Sequence, residues 1–97
     1  LTINTIKFMK TNIEIKNNDA KKLVIGMLED KISVLEAEND RMELTCKEFT
    51  RDANKTTLET KDLKASFEAW TDAIIKMSVN NQKIEIFKSQ ITNLKNS

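Results

Sequence analysis

The feature that most constrains this chain is an apolar repeat of 3.5 residues that runs through most of its length. Steps of three and four residues, taken alternately from Ile25 to Ile84, reach 18 positions, of which 14 are apolar. The overall apolar content of 39% would place only about seven apolar residues there. A 3.5-residue repeat held over more than eight heptads is typical of a left-handed coiled coil. The sequence therefore predicts an all-α fold.

Residues that commonly end helices are nearly missing. The 97 residues include one glycine, Gly26, and no proline, whereas the two together usually make up about 12% of a chain. Because few places allow a sharp turn, we predict one long coiled-coil helix over about 20–95, within a coiled-coil region 19–97. Residues 1–18 contain period-2 pairs rich in β-branched side chains, which predict a short helix or an extended arm. Asn18 and Asp19 are expected to cap the main helix.

Two places interrupt the repeat. The core positions of residues 53–60 are an alanine and two threonines, so this stretch is a candidate weak point or bend. The alternative to a continuous helix is therefore a hairpin in which residues 20–52 fold against 57–95. After Ile84 the spacing advances by three residues where four were due, which predicts a stammer that overwinds the supercoil. The apolar residues that follow it are Phe87, Ile91 and Leu94.

On a single long helix the apolar stripe would stay in water, so the sequence predicts association. Burial of apolar surface is worth roughly 25 cal/mol per Å², and helices in proteins owe most of their stability to packing. An Asn at one a position, Asn39, favours two parallel strands, because the two copies of its side chain can bond each other across the seam. We predict a parallel homodimer. The residues of its seam are Leu28, Ile32, Leu35, Asn39, Met42, Cys46, Phe49, Leu63, Phe67, Trp70, Ile74, Met77 and Ile84.

The heptads around Asn39 are similar to the zipper half of a basic-zipper transcription factor. The similarity covers about two heptads and concerns packing, with the matching positions at Leu28, Ile32, Leu35, Asn39 and Met42. It implies a two-stranded zipper. Only Lys21 and Lys22, next to Asp19, stand where such proteins carry a basic region, so the similarity implies no DNA binding.

A second apolar edge widens the seam in residues 63–79. The bulky core there is flanked by small uncharged side chains, so the segment could pack against a third or fourth helix as well as form a thick dimer core. Aromatic residues dominate the energetics of interfaces, which makes Trp70 the expected anchor. The candidate partner-docking residues are Phe67, Trp70, Ile75 and Val79.

Composition excludes most enzymatic chemistry. Without histidine, and with Cys46 as the lone cysteine, His/Cys zinc sites, Ser-His-Asp or Cys-His nucleophiles and an intrachain disulfide are excluded. We therefore expect no catalytic residue, no metal site and no cofactor. Cys46 is interpreted as a small buried hydrophobe, and in a parallel dimer it would face its own copy, where an interchain disulfide could form under oxidising conditions.

Charge and hydropathy exclude two further classes of partner. The 16 basic and 15 acidic residues leave a net charge of +1, which argues against a general attraction to nucleic acid or anionic lipid. A basic C-terminal turn is a weak third candidate for nucleic-acid binding. No apolar run approaches the ~20 residues that cross a bilayer, so we expect no membrane insertion.

These features predict a non-enzymatic, intracellular coiled-coil segment that mediates self-association and protein–protein interaction as a scaffold. Because the chain begins at Leu1 rather than Met, we expect it to be a segment of a larger protein. The alternative is a helix contributed to a hetero-oligomeric bundle, as in tethering, cytoskeletal or chromosome-associated complexes, with residues 63–79 as the docking surface. The expected partners are a second copy of the chain and another helical protein, with no small-molecule substrate.

Overall fold

The computed structural model describes residues 14–55 and 60–96, which form two long helices. Helix α1 spans Asn18–Ala53 and helix α2 spans Thr60–Asn96. No strand occurs in these two ranges, and the all-α prediction is confirmed. The principal-axis extents of 62 × 31 × 15 Å match helices of 36 and 37 residues, which are each about 55 Å long at 1.5 Å per residue.

The first turn of α1 is capped by a residue just before the predicted cap. Asn17 is the N-cap, with extended backbone angles of φ −76° and ψ 119°, where the sequence had suggested Asn18 and Asp19. The Oδ1 atom of Asn17 accepts hydrogen bonds from the backbone N–H groups of Asp19 at 2.9 Å and Ala20 at 3.1 Å. These bonds satisfy two of the amide donors that every helix start leaves free. Of the predicted N-terminal arm, residues 14–17 are not helical, and residues 1–13 lie outside the described residues.

Helix α1 ends at Ala53, within the stretch 53–60, of which residues 56–59 lie outside the described residues. The backbone N–H of Asn54 points to the carbonyl oxygens of Thr50 and Arg51, both at 3.3 Å, and its side-chain amide donates to the Thr50 carbonyl at 2.9 Å. The backbone of Asn54 has φ −88° and ψ −2°. The end of α1 is therefore closed by hydrogen bonds from an asparagine whose backbone stays close to the helical region.

The two helices lie side by side and run antiparallel, so the prediction of one continuous helix over about 20–95 is wrong. The Asn39 side chain bonds that of Asn81, which is 42 residues away. A continuous helix of that range would be roughly 114 Å long, nearly twice the longest extent of the structure. The architecture is that of the hairpin alternative. Pairing within one chain hides the apolar stripe without the loss of translational freedom that joining two chains costs.

Two contacts between the helices define their register. Asn39 contacts Asn80 and Phe49 stacks on Trp70, and in both pairs the residue numbers add up to 119. Heptad steps in this register place eight residues of α1 opposite eight residues of α2. The resulting layers are Ile25/Leu94, Leu28/Ile91, Ile32/Phe87, Leu35/Ile84, Asn39/Asn80, Met42/Met77, Cys46/Ala73 and Phe49/Trp70.

The buried core is concentrated in the layers far from the connection. Ile32, Ile84 and Ile91 form its buried cluster, and Leu94 is completely buried. Four partly buried residues pack against that cluster: Ile25, Leu28, Leu35 and Phe87.

The α2 face that packs on α1 differs from the face predicted. Ala73 and Asn80 are buried at 4% exposure each, whereas Ile74 is 40% exposed and Asn81 is also exposed. From Trp70 the core-facing positions continue in unbroken steps of three and four residues to the end of the helix. The predicted stammer after Ile84 is therefore wrong. The sequence prediction extended the 3–4 spacing of α1 through residues 53–60 into α2. Helix α1 ends at Ala53, and the residues of α2 that face α1 begin a new 3–4 series.

Candidate interaction surface

A polar layer of amides interrupts the apolar seam between the helices. The Asn39 side-chain amide donates to Asn81 Oδ1 at 3.0 Å, while its own oxygen accepts from Asn80 Nδ2 at 3.1 Å. Asn80 Nδ2 also donates to Glu38 Oε1 at 2.9 Å. In coiled coils a buried asparagine of this kind fixes register at a cost in stability. In this structure the amide of Asn39, expected to pair with its copy in a second chain, is bonded within its own chain.

An aromatic cluster closes the seam near the connection. The rings of Phe49 and Trp70 stack, with centroids 4.9 Å apart and an angle of 15° between their planes. Phe67 packs edge-on against Phe49 at 6.1 Å and lies 5.7 Å from Trp70, and it remains 47% exposed. Trp70, the expected anchor for a partner, is half-buried against α1. Phe67 is therefore the most exposed of the three rings.

Polar contacts join the two helices beside the aromatic cluster. The Ser66 hydroxyl of α2 donates to Asp52 Oδ2 of α1 at 3.2 Å. The same carboxylate lies 3.3 Å from Lys55 Nζ and 3.9 Å from Arg51 Nε. Ion pairs between side chains this exposed contribute little to stability. The Asp52–Ser66 hydrogen bond therefore mainly shows where α2 lies against α1.

Each helix carries a second apolar stripe that points away from the other helix. In both, the three residues are spaced by four and then seven positions, so they share one helical face. The outer α1 stripe is Leu23, Met27 and Val34, which are 66%, 52% and 63% exposed. The outer α2 stripe is Ile75, Val79 and Ile86, which are 62%, 43% and 49% exposed.

The predicted docking residues divide between two surfaces. Trp70 faces α1 within the aromatic cluster, while Ile75 and Val79 belong to the outer α2 stripe. Beside that stripe, Ile86 also lines a shallow depression on α2 with Ile74 and Met77. The 63–79 surface is therefore not one continuous patch.

The predicted dimer seam is used differently by the two helices. In α1 its residues are the ones that face α2: Leu28, Ile32, Leu35, Asn39, Met42, Cys46 and Phe49. In α2 Trp70, Met77 and Ile84 face α1, Leu63 is half-buried, and Phe67 and Ile74 are exposed. Sequence reasoning left Ala73 and Asn80 out of the seam, and it placed Phe87, Ile91 and Leu94 after a stammer, whereas the structure continues one α2 face through them. The 3–4 spacing of these last three with Ile84, counted back to Trp70, was the signal that could have found Ala73 and Asn80.

The described residues hold no group of three or more His, Cys, Asp or Glu side chains placed to bind a metal ion. Cys46 is a half-buried free thiol in the layer with Ala73. Neither α1 nor α2 is apolar enough over its length to cross a bilayer. The features of the described residues that could take part in binding are therefore the apolar stripes and the amide layer.

No family model matches this chain, and neither a curated protein nor a solved structure shows a significant match to it.

Proposed function

We propose that this chain is a non-enzymatic association segment, which holds copies of a larger protein together or joins it to another helical protein. The observation that carries the proposal is the pair of outer stripes, whose six large apolar residues are between 43% and 66% exposed. Several large apolar residues exposed along one helical face are typical of an interaction site. Its 3.6-residue spacing suits another helix as the partner.

The small core of the hairpin supports the same function. Among the described residues, five apolar side chains are buried: Ile32, Ala73, Ile84, Ile91 and Leu94. A single layer of two helices gains stability when a second layer covers it.

Two modes of self-association compete. If two hairpins pack through their outer stripes, each keeps its internal seam and the product is a four-helix assembly. A parallel two-stranded coiled coil instead requires the α1 seam around Asn39 to leave α2. That mode would give up the hydrogen bonds of Asn39 to Asn80 and Asn81 before it gains new ones.

Sedimentation equilibrium tests the proposal. The wild-type chain is expected to have a mass of at least twice 11.2 kDa at about 100 µM, and Ile75→Lys/Val79→Lys should lower that mass, since lysine at the outer α2 stripe places charge in the interface. The matched control, Ala65→Lys/Thr92→Lys, adds the same charge to α2 at exposed positions outside the stripe. A wild-type chain that stays monomeric at this concentration contradicts self-association.

The second candidate is the docking of another protein's helix within residues 63–79, on the part of that surface that belongs to the outer α2 stripe. The exposure of Ile75 at 62% and Val79 at 43% favours it. Here the chain would be monomeric alone, and a helical partner found by cross-linking the whole protein would be lost in Ile75→Lys/Val79→Lys and kept in Ala65→Lys/Thr92→Lys. A partner that binds both variants equally contradicts this candidate.

A further inference from the structure

We propose that copies of this chain associate head to tail, with the outer α1 stripe of one copy packed in parallel on the outer α2 stripe of the next. This inference rests on the proposed self-association and names its partner and its surfaces: a second copy of the chain, bound through two different stripes. Each hairpin keeps its own seam in such an assembly.

The two outer stripes match each other in spacing. Both place their three apolar residues at intervals of four and then seven positions. When α1 of one copy lies parallel to α2 of another, every apolar residue of one stripe therefore meets an apolar residue of the other. All six side chains are between 43% and 66% exposed in the single chain, and their burial would drive association. The three layers are Leu23/Ile75, Met27/Val79 and Val34/Ile86.

The order of the intervals selects the direction of the pairing. Read backwards, intervals of four and then seven become seven and then four. An antiparallel pairing of two stripes therefore sets at most two residues of one stripe opposite residues of the other, and the third loses its apolar partner. Because buried apolar area is the main favourable contribution to such a contact, the spacing favours parallel helices.

Charge selects unlike stripes over like ones. A parallel pairing of two α1 stripes would set Asp30 opposite Asp30 and Arg41 opposite Arg41, and a pairing of two α2 stripes would set Asp72 opposite Asp72. Like charges in direct opposition disfavour an interface. In the unlike pairing Asp30 lies opposite Gln82, whose side-chain amide can donate a hydrogen bond to the carboxylate. Asp72 lies opposite Ala20, so neither acid meets another acid.

The contact is long and it leaves both ends of the assembly open. In this register residues 18–44 of α1 lie beside residues 70–96 of α2 in the next copy, an overlap of about 40 Å at 1.5 Å per residue. Each stripe points away from the other helix of its own hairpin, so two copies cannot satisfy both contacts at once. Heterologous contacts of this kind continue into rings or open filaments. The proposed scaffold would therefore join more than two copies.

Two variants that each disable one stripe test the head-to-tail contact by sedimentation equilibrium. Met27→Lys/Val34→Lys places charge in the α1 stripe, and Ile75→Lys/Val79→Lys places it in the α2 stripe, in both cases at exposed positions. Each variant alone should stay at the monomer mass of 11.2 kDa. A 1:1 mixture should form dimers of twice that mass and grow no further, because each pair retains one intact α1 stripe and one intact α2 stripe that can meet.

The outcomes separate this inference from the proposed function. A variant that dimerises alone, or a mixture that stays monomeric although the wild-type chain associates, would overturn the head-to-tail contact and leave self-association standing. A wild-type mass that stops rising at twice 11.2 kDa would also overturn it, since an open contact continues beyond two copies. A wild-type chain that is monomeric throughout would contradict both.

Matched controls add the same charge outside the stripes. Ser33→Lys/Thr50→Lys does so in α1 and Ala65→Lys/Thr92→Lys in α2, at positions that are exposed. Both controls should associate as the wild-type chain does. If they lose association to the same extent as the stripe variants, added charge rather than the stripes governs the mass, and the inference is overturned.

Disulfide trapping tests the register without any change to the stripes. In chains that carry Cys46→Ser, one copy receives Asp30→Cys and the other Gln82→Cys, at exposed positions that the parallel register sets opposite each other. Mild oxidation of the mixture should give covalent dimers linked between positions 30 and 82. The matched control replaces Asp30→Cys by Glu36→Cys, an exposed α1 position outside the stripe, and should give few. Equal yields in the two mixtures, or an equal yield from the Asp30→Cys chain alone, would overturn the inference.

Discussion

The two ends of the hairpin are built differently. Far from the connection, aliphatic residues form a closed core in which Leu94 is fully buried and Ile32, Ile84 and Ile91 are at most 9% exposed. Next to the connection, the seam is an aromatic cluster in which Phe67 remains 47% exposed. The polar layer of Asn39 and its partners lies between these two ends.

This difference indicates which end provides the stability. Aliphatic side chains and the ring of Phe87 pack together at the far end, where exposure is lowest and burial contributes most. The aromatic rings near the connection stack on one another, but Phe67 stays 47% exposed, so this end of the hairpin is less closed. We therefore expect the far end to determine the stability of the hairpin and the near end to tolerate rearrangement. The following predictions test that contrast, beginning with the largest effect.

Truncation at the closed end should have the largest effect. Leu94→Ala removes a completely buried side chain and is expected to lower the free energy of unfolding by about 3 kcal/mol. Urea denaturation at one fixed protein concentration measures it, with Leu44→Ala as control, since Leu44 is 58% exposed and should cost less than about 0.5 kcal/mol. Similar losses for the two variants would contradict a core at this end.

Truncation at the aromatic end should have a smaller effect. Trp70→Ala removes the stack on Phe49 and half-buried apolar surface, and we expect the free energy of unfolding to fall by about 2 kcal/mol. Phe67→Ala, at the open edge of the same cluster, should cost about 1 kcal/mol. A loss from Trp70→Ala that exceeds the loss from Leu94→Ala would reverse the contrast between the ends.

Disruption of the polar layer should lower stability by an amount between those of the two aromatic variants. Asn80→Ala removes the donor to Glu38 and Asn39 from a site that is 4% exposed, and is expected to cost about 1.5 kcal/mol in the same urea denaturation. The exposed neighbour Gln82→Ala is the control. If Asn80→Ala proves neutral, the hydrogen bonds of Asn80 do not contribute to stability as inferred.

The smallest expected change is an increase in the free energy of unfolding. Gly26 lies inside α1, and a Cβ added there would meet nothing within 4 Å. Gly26→Ala should therefore raise the free energy of unfolding by about 0.5–1 kcal/mol through better helix propensity. The midpoint of thermal unfolding, followed by circular dichroism, should rise by about 3–6 °C; a fall would show that the added methyl group disturbs packing at the far end of the hairpin.

Much of this architecture could be predicted from short stretches of the sequence. The 3–4 spacing from Ile25 to Phe49 identified the α1 face that packs, and the scarcity of glycine and proline predicted long helices. The α2 face was harder to predict. Ile74 and Ala73 are both apolar and adjacent, so counting apolar residues favoured Ile74, although Ala73 is the one that the closely packed helices bury. Asn80, a polar residue in the seam, carries no apolar signal at all.

The sequence by itself determined that this chain forms long amphipathic helices, because the repeat, the side-chain propensities and the lack of helix-breaking residues are all local properties. Only the tertiary structure decided which surface covers the apolar stripe. The apolar stripe of one helix can be hidden by the other helix of the same chain or by a second chain, and the two solutions differ in the entropy of association. That small difference in free energy between similar packings is not encoded in any short segment.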